Sequence, residues 1–194
     1  MSDTSIFLLI NGWAGRFPLI DEFFKGLSND YFSLVLSCLV LVWLWFATRD
    51  RARRFTQQKA VLTSLVSVGM ACIAMVIING HIFRDRPFNV LPPGSVHLLF
   101  YQPHDSSFPS NFAALMFALA LPIFLKNKTW GSLLLGLAIV SSFGRIFMGI
   151  HYPLDVLAGA GVGIVGCLVA LGIMRALQPL ITFLIVLLQR VYLA

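Results

Sequence analysis

The stretch from Ala60 to Phe83, AVLTSLVSVGMACIAMVIINGHIF, contains no Asp, Glu, Lys or Arg. A helix needs about 20 mostly apolar residues to cross the hydrocarbon core of a membrane. This stretch therefore predicts a transmembrane helix. Four further segments meet the same description or come close to it: Tyr31–Thr48, Ser110–Leu125, Trp130–Ile150 and Leu154–Leu177.

The composition of the whole chain agrees with a membrane protein. Of its 194 residues, 58% are hydrophobic and 11% are charged, whereas soluble domains are about 45–50% apolar and about 25% charged. We predict an all-α, polytopic membrane helix bundle with five or six transmembrane helices, forming a single domain over residues 1–194. Four glycines in the last segment predict close helix packing, with a groove for a lipid tail as a second use: Gly159, Gly161, Gly163 and Gly166.

The two ends of the chain predict amphipathic terminal helices. The stretch Ile6–Leu27 mixes apolar residues with four charged ones. This pattern favours a helix that lies in the interface on the non-cytoplasmic surface of the membrane. Residues 177–194 are nearly long enough to cross the membrane. Pro179 and Arg190 also fit an interfacial helix, so crossing and lying flat both remain open.

The basic residues predict an orientation. Five Lys or Arg fall in a predicted loop at Arg49–Lys59, two in the loop Lys126–Lys128, and Arg175 lies near the end of the last segment. If the five segments cross in turn, all three positions lie on one side, which the positive-inside rule makes cytoplasmic. The basic cluster stands between two apolar runs, so it indicates topology and not a nucleic-acid partner. The loop 84–108 and the turn near His151 then face the opposite side, which is periplasmic or extracellular.

Polar residues at membrane depth are costly and usually functional, and here they form three motifs on the non-cytoplasmic side. The first runs from Asn79 to Pro87 and contains Arg84 and Arg86, and arginine is well suited to bidentate phosphate binding. The second runs from His104 to Phe112. Its pair Pro109-Ser110 opens a helix, whose free N–H groups can receive an anion.

The third motif combines the groups that nucleophilic catalysis needs. It reads Gly144-Arg145, then His151 after five residues, then Asp155. An Asp four residues after a His can hold the imidazole in one tautomer, and a nearby Arg can hold the anion that the His attacks. Each motif alone is weak, but all three on one side of the membrane predict a phosphate-handling site.

These residues resemble the motifs of the type-2 phosphatidic acid phosphatase (lipid phosphatase/vanadium haloperoxidase) family. The family pattern is Lys-x6-Arg-Pro, Pro-Ser-Gly-His and Ser-Arg-x5-His-x3-Asp. Here Arg86-Pro87, Pro109-Ser110 and the third motif match it in order and spacing. Within the family, the chain is most similar to undecaprenyl-diphosphate phosphatases of the bacitracin-resistance type.

The resemblance implies a mechanism without metal or other cofactor. His151 would attack phosphorus to form a phosphohistidine, and Asp155 would orient His151. The phosphoryl oxygens would be held by Arg145, Arg86 and Ser110 with its backbone N–H. Further candidates for phosphate binding are Asn79, Arg84 and Asn111. The implied partners are a lipid diphosphate substrate and the bilayer of the bacterial inner membrane.

Three positions depart from the family pattern. Asn79 stands where the pattern has Lys, and Gly144 stands where Ser is usual. Phe112 stands where the pattern has the His that protonates the leaving group, and Phe cannot transfer a proton. Three explanations stay open: a diphosphate substrate that needs little acid help, a substitute acid such as His104 or Asp105, or a loss of activity.

The first explanation favours a hydrolase that converts undecaprenyl diphosphate to the monophosphate and so supports recycling of a cell-envelope lipid carrier. Expelling an alkoxide needs a proton, whereas expelling a phosphate, whose second pKa is about 6, does not. The alternatives are a lipid phosphotransferase and an inactive or purely lipid-binding relative.

Overall fold

The computed structural model describes residues 2–190 of the chain and the side chains of residues 2–189. Within that range all regular secondary structure is α-helical, as predicted. The helices are α1 (Asp3–Asn11), α2 (Pro18–Leu27), α3 (Phe32–Phe46), α4 (Arg51–Asn79), α5 (Pro87–Val90), α6 (Asn111–Lys126), α7 (Lys128–Phe147), α8 (Pro153–Ala176) and α9 (Gln178–Arg190).

Polar side chains fix where the long helices begin. The Asp50 carboxylate accepts a hydrogen bond from the Arg53 N–H at 2.8 Å and starts α4. The Ser110 hydroxyl accepts from the Ala113 N–H at 3.4 Å and starts α6. Asn127 is the one residue between α6 and α7: it ends α6, and its side chain accepts from the Trp130 N–H at 3.2 Å to start α7. Such caps satisfy N–H groups that the first helical turn leaves free.

The basic cluster is helical, so the prediction of a loop at Arg49–Lys59 was wrong. Helix α4 begins at Arg51 and already contains most of the cluster. Two properties of the sequence account for this: the cap from Asp50, and the high helix propensity of Arg, Gln and Lys. At its other end α4 stops at Asn79, before the predicted Phe83, so residues 80–86 of the first phosphate motif form a loop between α4 and α5.

The bundle is built around α6, which contacts α4, α7 and α8. Glycines of α8 allow this close approach. A Cβ added at Gly163 would lie 2.6 Å from the Ala114 carbonyl oxygen, and one at Gly166 would lie 2.9 Å from that of Ser67. The predicted close packing is therefore confirmed at these positions and at Gly159, whereas Gly161 faces open space.

Among the described residues, three helices are long and apolar enough to cross a membrane: α4, α7 and α8. Helices α2 and α3, bent by 52° at a short break, make a fourth if the pair is one span. The expected five or six spans are thus supported only as three or four. Helix α6, with 16 residues, is shorter than a membrane span, and protein surrounds it on several sides.

Both termini pack against the bundle. The N-terminal stretch forms two helices and not one, and Asn11 at the end of α1 donates to the carbonyls of His97 at 2.9 Å and Phe147 at 2.8 Å. Helix α9 packs on α4 and α8, and Gln189 donates to Gln58 at 3.0 Å. This contact keeps α9 near the start of α4. The last four residues of the open stretch 177–194 lie outside the described range.

The bundle has two ends, and a hydrogen bond joins separate segments of the chain at each of them. Gln58 of α4 donates to the Trp45 carbonyl of α3 at one end, and the Ser110 N–H donates to the Asp155 carbonyl at 2.9 Å at the other. We call the first the basic end, formed by residues 47–59, 126–128 and 175–178. The second is the site end, formed by residues 28–31, 80–110 and 148–155.

Candidate active site

A cavity of about 170 Å³ lies at the site end. Six residues that the sequence predicted as site residues or discussed there line it: Arg86, Asp105, Asn111, Phe112, Arg145 and His151. Asp30, Tyr101 and Pro103 complete the wall. The three motifs, far apart in sequence, therefore meet around one space.

The imidazole of His151 is held in one orientation. Its Nδ1 lies 2.9 Å from the Ser107 carbonyl oxygen, and a carbonyl can only accept, so Nδ1 carries the proton. The other nitrogen, Nε2, is then unprotonated and lies 3.4 Å from Nη1 of Arg86. Burial, followed by the charges of Arg86 and Arg145, holds the pKa of His151 well below its usual 6.5. The side chain is therefore neutral at physiological pH, and an unprotonated imidazole nitrogen is chemically able to act as a nucleophile.

Asp155 does not make the direct contact with His151 that the spacing suggested. The nearest carboxylate oxygen is 3.9 Å from Nδ1 of His151, which is too far for a hydrogen bond. That oxygen instead accepts from the Ser107 hydroxyl at 2.5 Å and from the Tyr152 N–H at 2.9 Å. Asp155 thus holds Ser107, and Ser107 holds the imidazole.

Arg86 is anchored over the imidazole by several acceptors. Its guanidinium donates to the Asp105 carboxylate at 2.7 Å, to the Asp105 carbonyl at 3.1 Å and to the Ile150 carbonyl at 3.3 Å. The arginine is only 4% exposed, while the Asp105 side chain is 58% exposed. The fixed partner of this ion pair is therefore the arginine.

Arg145 is held by a second carboxylate that the sequence did not reveal. Its guanidinium donates to Asp30, and the other Asp30 oxygen accepts from the Tyr101 hydroxyl at 2.6 Å. That hydrogen bond, together with burial, raises the pKa of Tyr101 to about 12. Arg145 also lies 4.2 Å from the centre of the Phe112 ring, a cation–π contact. Phe112 thus supports an arginine where the family pattern has an acid.

Free backbone donors lie one residue later than predicted. The N–H of Ser110 donates to the Asp155 carbonyl, and its side chain is fully buried as a helix cap. The expectation that this N–H holds an oxygen of the substrate was therefore wrong. Among the described residues, the N–H groups of Asn111 and Phe112 have no acceptor, because they open α6, and both residues line the cavity.

Besides Asp155 and Ser110, three more predicted residues do not line the cavity: Arg84, Asn79 and His104. Arg84 donates to Asp155 at 2.6 Å and to Asp3 at 2.7 Å, so it bridges α8 and α1. Asn79 donates to the side chain of Asn111 at 3.5 Å and reaches the site only through it. His104 is exposed and is not part of the cavity wall, so of the two substitute acids only Asp105 lines it.

Gly144 leaves room for a neighbouring hydroxyl. A Cβ at this position would collide with the Ser28 hydroxyl and lie 2.8 Å from the Phe24 ring. Ser28 itself is fully buried and donates to the Ser141 carbonyl at 2.8 Å. Gly144 therefore replaces the usual Ser at a position where Ser28, at the end of α2, occupies the space that a larger side chain would need.

Sequence reasoning missed four residues of this network: Asp3, Asp30, Tyr101 and Ser107. Asp30 had a usable signal, because an acid beside the first apolar segment is costly unless it is paired. Ser107 lay inside a quoted motif. The partners of Asp3 and Tyr101 depend on how distant segments meet, and no local pattern indicates them.

The fold and the site define a helical membrane protein whose cavity brings together a buried histidine and two arginines. Residues 60–179 match the PAP2 superfamily. Because this match covers more than half of the chain, the protein belongs to the PAP2 superfamily of lipid phosphatases.

Individual relatives cover most of the chain. "Putative undecaprenyl-diphosphatase YbjG" of Escherichia coli K12 is 31% identical over 89% of this chain and 83% of its own. "Bacitracin transport permease protein BcrC" of Bacillus licheniformis is 31% identical over 84% of this chain and 75% of its own. Among solved structures, Aquifex aeolicus LpxE superposes with a TM-score of 0.71 at 27% identity, covering 87% of this chain and 94% of that one.

Proposed function

We propose that the protein hydrolyses a polyprenyl diphosphate, with undecaprenyl diphosphate as the substrate, to the monophosphate and phosphate. The observation that carries this proposal is the unprotonated Nε2 of His151, which lies beside Arg86 in a cavity that contains Phe112 in place of an acid. The name of the Escherichia coli relative supports the same substrate.

In the first step, Nε2 of His151 attacks the terminal phosphorus. The bond from phosphorus to the bridging oxygen breaks, and its electron pair leaves with the lipid monophosphate. Arg86 and Arg145 stabilise the oxygens on which charge develops, as preorganised donors do in other phosphoryl transfers. The proton stays on Nδ1, which donates it as a hydrogen bond to the Ser107 carbonyl, so the imidazolium that forms is stabilised through Ser107 and Asp155.

The leaving group explains why Phe112 is tolerated. The departing lipid monophosphate has a second pKa of about 6, so it leaves as an anion without taking a proton. A monophosphate substrate would expel an alkoxide, which needs an acid worth about 10²–10⁴-fold in rate. The site therefore favours a diphosphate over a monophosphate.

In the second step, water must lose a proton as it attacks the phosphohistidine, and Asp105 is our candidate for the base. One of its carboxylate oxygens accepts from Arg86, and the other has no partner among the described residues. Arg86 thus places a carboxylate at the cavity wall, near the nitrogen that carries phosphorus. Water's oxygen bonds to phosphorus, its proton passes to Asp105, and the electron pair of the broken P–N bond returns to Nε2.

The membrane orientation follows from the charges. With the basic end in the cytoplasm, the site end faces the periplasm of a bacterial inner membrane. The lipid tail stays in the bilayer while the headgroup enters the cavity. Five helices, including the short central α6, would then cross.

The test is a phosphate-release assay with the purified protein on undecaprenyl diphosphate and on undecaprenyl monophosphate. We expect release from the diphosphate only, and loss of release in the His151→Ala variant. Turnover that survives His151→Ala would exclude the mechanism, and faster release from the monophosphate would exclude the substrate assignment. Labelled phosphate that appears on an added lipid acceptor, and not in water, would identify a phosphotransferase.

A second candidate function is lipid binding or transport without chemistry. It is favoured by Phe112 and by the transport name of the Bacillus licheniformis relative. It predicts that the wild-type protein binds undecaprenyl diphosphate and forms no labelled phosphohistidine even at high protein concentration. A single-turnover experiment with terminally labelled diphosphate separates the two functions.

A further inference from the structure

A second cavity lies at the basic end, on the far side of the bundle from His151. It measures about 350 Å³ and lies between four helices, α4, α6, α8 and α9. Each of the first three contributes one cation to the wall: Lys59, Lys126 and Arg175. The convergence of three cations from separate helices on one space distinguishes this cavity from the rest of the basic surface.

These three cations have no acidic partner among the described residues. The ion pairs of the described part of the chain involve other side chains, and five of the six lie at the site end or link α1 to it. The acid nearest in sequence is Asp50, whose carboxylate is used to cap α4. The cavity therefore has a positive field that no acid within the described part of the chain neutralises.

The cavity lies at the level where helices leave the membrane. Lys126 is the last residue of α6, and Arg175 is next to the last residue of α8. Lys59 lies about 12 Å from the start of α4, at 1.5 Å of rise per residue, and Ala52 and Arg53 of the first turn line a neighbouring cavity together with Lys126. On the positive-inside rule, this is the headgroup layer of the cytoplasmic leaflet.

The wall of the cavity has two kinds of surface. Beside the cations lie the polar side chains of Thr56 and Gln178, and next to them the apolar side chains of Phe55, Leu171 and Met174. A free inorganic anion would use only the cations. A phospholipid would use both, with its phosphate among the cations and its first methylene groups on the apolar wall.

We propose that this cavity binds the headgroup of an anionic phospholipid of the cytoplasmic leaflet. Lys and Arg near a membrane surface each attract anionic lipid by a roughly additive amount, and three of them meet here without an acid. A zwitterionic headgroup adds a cation of its own, which the same field repels. The site is separate from the active site and does not depend on the reaction catalysed there.

The experiment compares two triple variants of the full-length protein. The cavity variant carries Lys59→Gln, Lys126→Gln and Arg175→Gln, and the control carries Arg49→Gln, Arg51→Gln and Lys128→Gln. Both remove three positive charges from the same end, but the control residues do not line the cavity. Native mass spectrometry counts bound phosphatidylglycerol and phosphatidylcholine, and thermal unfolding is measured with each lipid and with inorganic phosphate.

We expect the wild type and the control to retain phosphatidylglycerol and to be stabilised by it, and the cavity variant to bind it at least about tenfold more weakly. Equal losses in both variants would show a diffuse surface charge and overturn the proposal, as would equal retention in both. Stabilisation by inorganic phosphate equal to that by phosphatidylglycerol would overturn the assignment to a lipid. Should the triple variant fail to fold, Lys126→Gln against Lys128→Gln gives the same comparison.

Discussion

The two ends of the bundle use positive charge in different ways. At the site end, each of three arginines is held by at least one aspartate: Arg84 by Asp3 and Asp155, Arg86 by Asp105, and Arg145 by Asp30. At the basic end, the described cations that line the cavity face no acid. Each set contains three cations, but only those at the site end are held by carboxylates.

The two arrangements should therefore act on a bound phosphate in different ways. Paired arginines lose rotamer freedom before the substrate arrives, so they can hold a phosphoryl group in one position. Unpaired cations provide attraction and orientation but no fixed geometry. We therefore expect single changes at the site end to alter the rate steeply, and single changes at the basic end to alter it little.

The largest effect should come from Phe112→His, which gives the site end the proton donor of the family pattern. We expect release of phosphate from a monophosphate lipid to rise by about 10²–10⁴-fold, with a much smaller change on the diphosphate. Phosphate release on the two lipids measures this. Phe112→Leu is the control, because it also removes the ring beneath Arg145 but adds no acid. An equal gain on both lipids would contradict the leaving-group argument.

The next effect compares the two ends directly. Arg86→Gln should lower kcat/KM by about 10²–10³-fold, the range measured for loss of one preorganised donor. Lys126→Gln, which removes the same charge at the basic end, should change kcat/KM by less than about twofold, because exposed distant charges are screened. Steady-state kinetics in detergent provide the comparison. Similar losses in both variants would mean that the field, and not the geometry, controls the reaction.

Asp155→Asn tests whether pairing at the site end acts through Ser107. Loss of such a supporting group typically costs about 10–100-fold, and we expect the loss mainly in kcat. Ser107→Ala should cost a similar factor, and the double variant should cost little more than either single one, because both interrupt the same chain of hydrogen bonds. Multiplied losses in the double variant would show that Asp155 acts on His151 by another route.

Glycine substitutions in the middle of α8 test how tightly this helix packs against α6. Gly163→Ala places a methyl group 2.6 Å from a carbonyl oxygen of α6, and such overpacking typically costs about 1–3 kcal/mol of unfolding free energy. Gly161→Ala is the matched control, since its methyl meets nothing within 4 Å, and it should stabilise the helix slightly. Thermal unfolding in detergent distinguishes the two. Equal stability of both variants would contradict the packing described for α8.

The smallest effect concerns pH. Because the pKa of His151 is lowered by burial and then by Arg86 and Arg145, the acid limb of kcat/KM should lie below pH 6.5. Arg86→Gln removes one of the causes, so it should move this limb upward. The same lowered pKa makes the stability of the protein depend on pH. As the pH falls below about 6.5, the unfolded chain protonates His151 before the folded chain does, so the free energy of unfolding decreases. A histidine paired with a carboxylate would have the opposite effect. Activity and melting profiles from pH 4 to 8 measure both.

The sequence was sufficient for the helical class and for six of the nine residues that line the cavity, because these depend on apolar length and on motifs with fixed spacing. The sequence was insufficient to predict which aspartate pairs with which arginine. Asp30 and Arg145 lie 115 positions apart, and their contact depends on how the break between α2 and α3 packs on α7. The route from Asp155 through Ser107 was missed for a related reason, since a spacing of four residues does not reveal that a third side chain lies between.

The turn at Asn127 has a consequence for how the protein enters the membrane. Helix α6 is about 24 Å long at 1.5 Å per residue, short of the roughly 30 Å hydrocarbon core, and Pro122 lies inside it. One residue joins it to α7, and Gly131 of α7 packs directly on the backbone of Phe124. During biosynthesis, α6 should therefore leave the translocon together with α7 as a hairpin, and a longer linker between them should delay insertion.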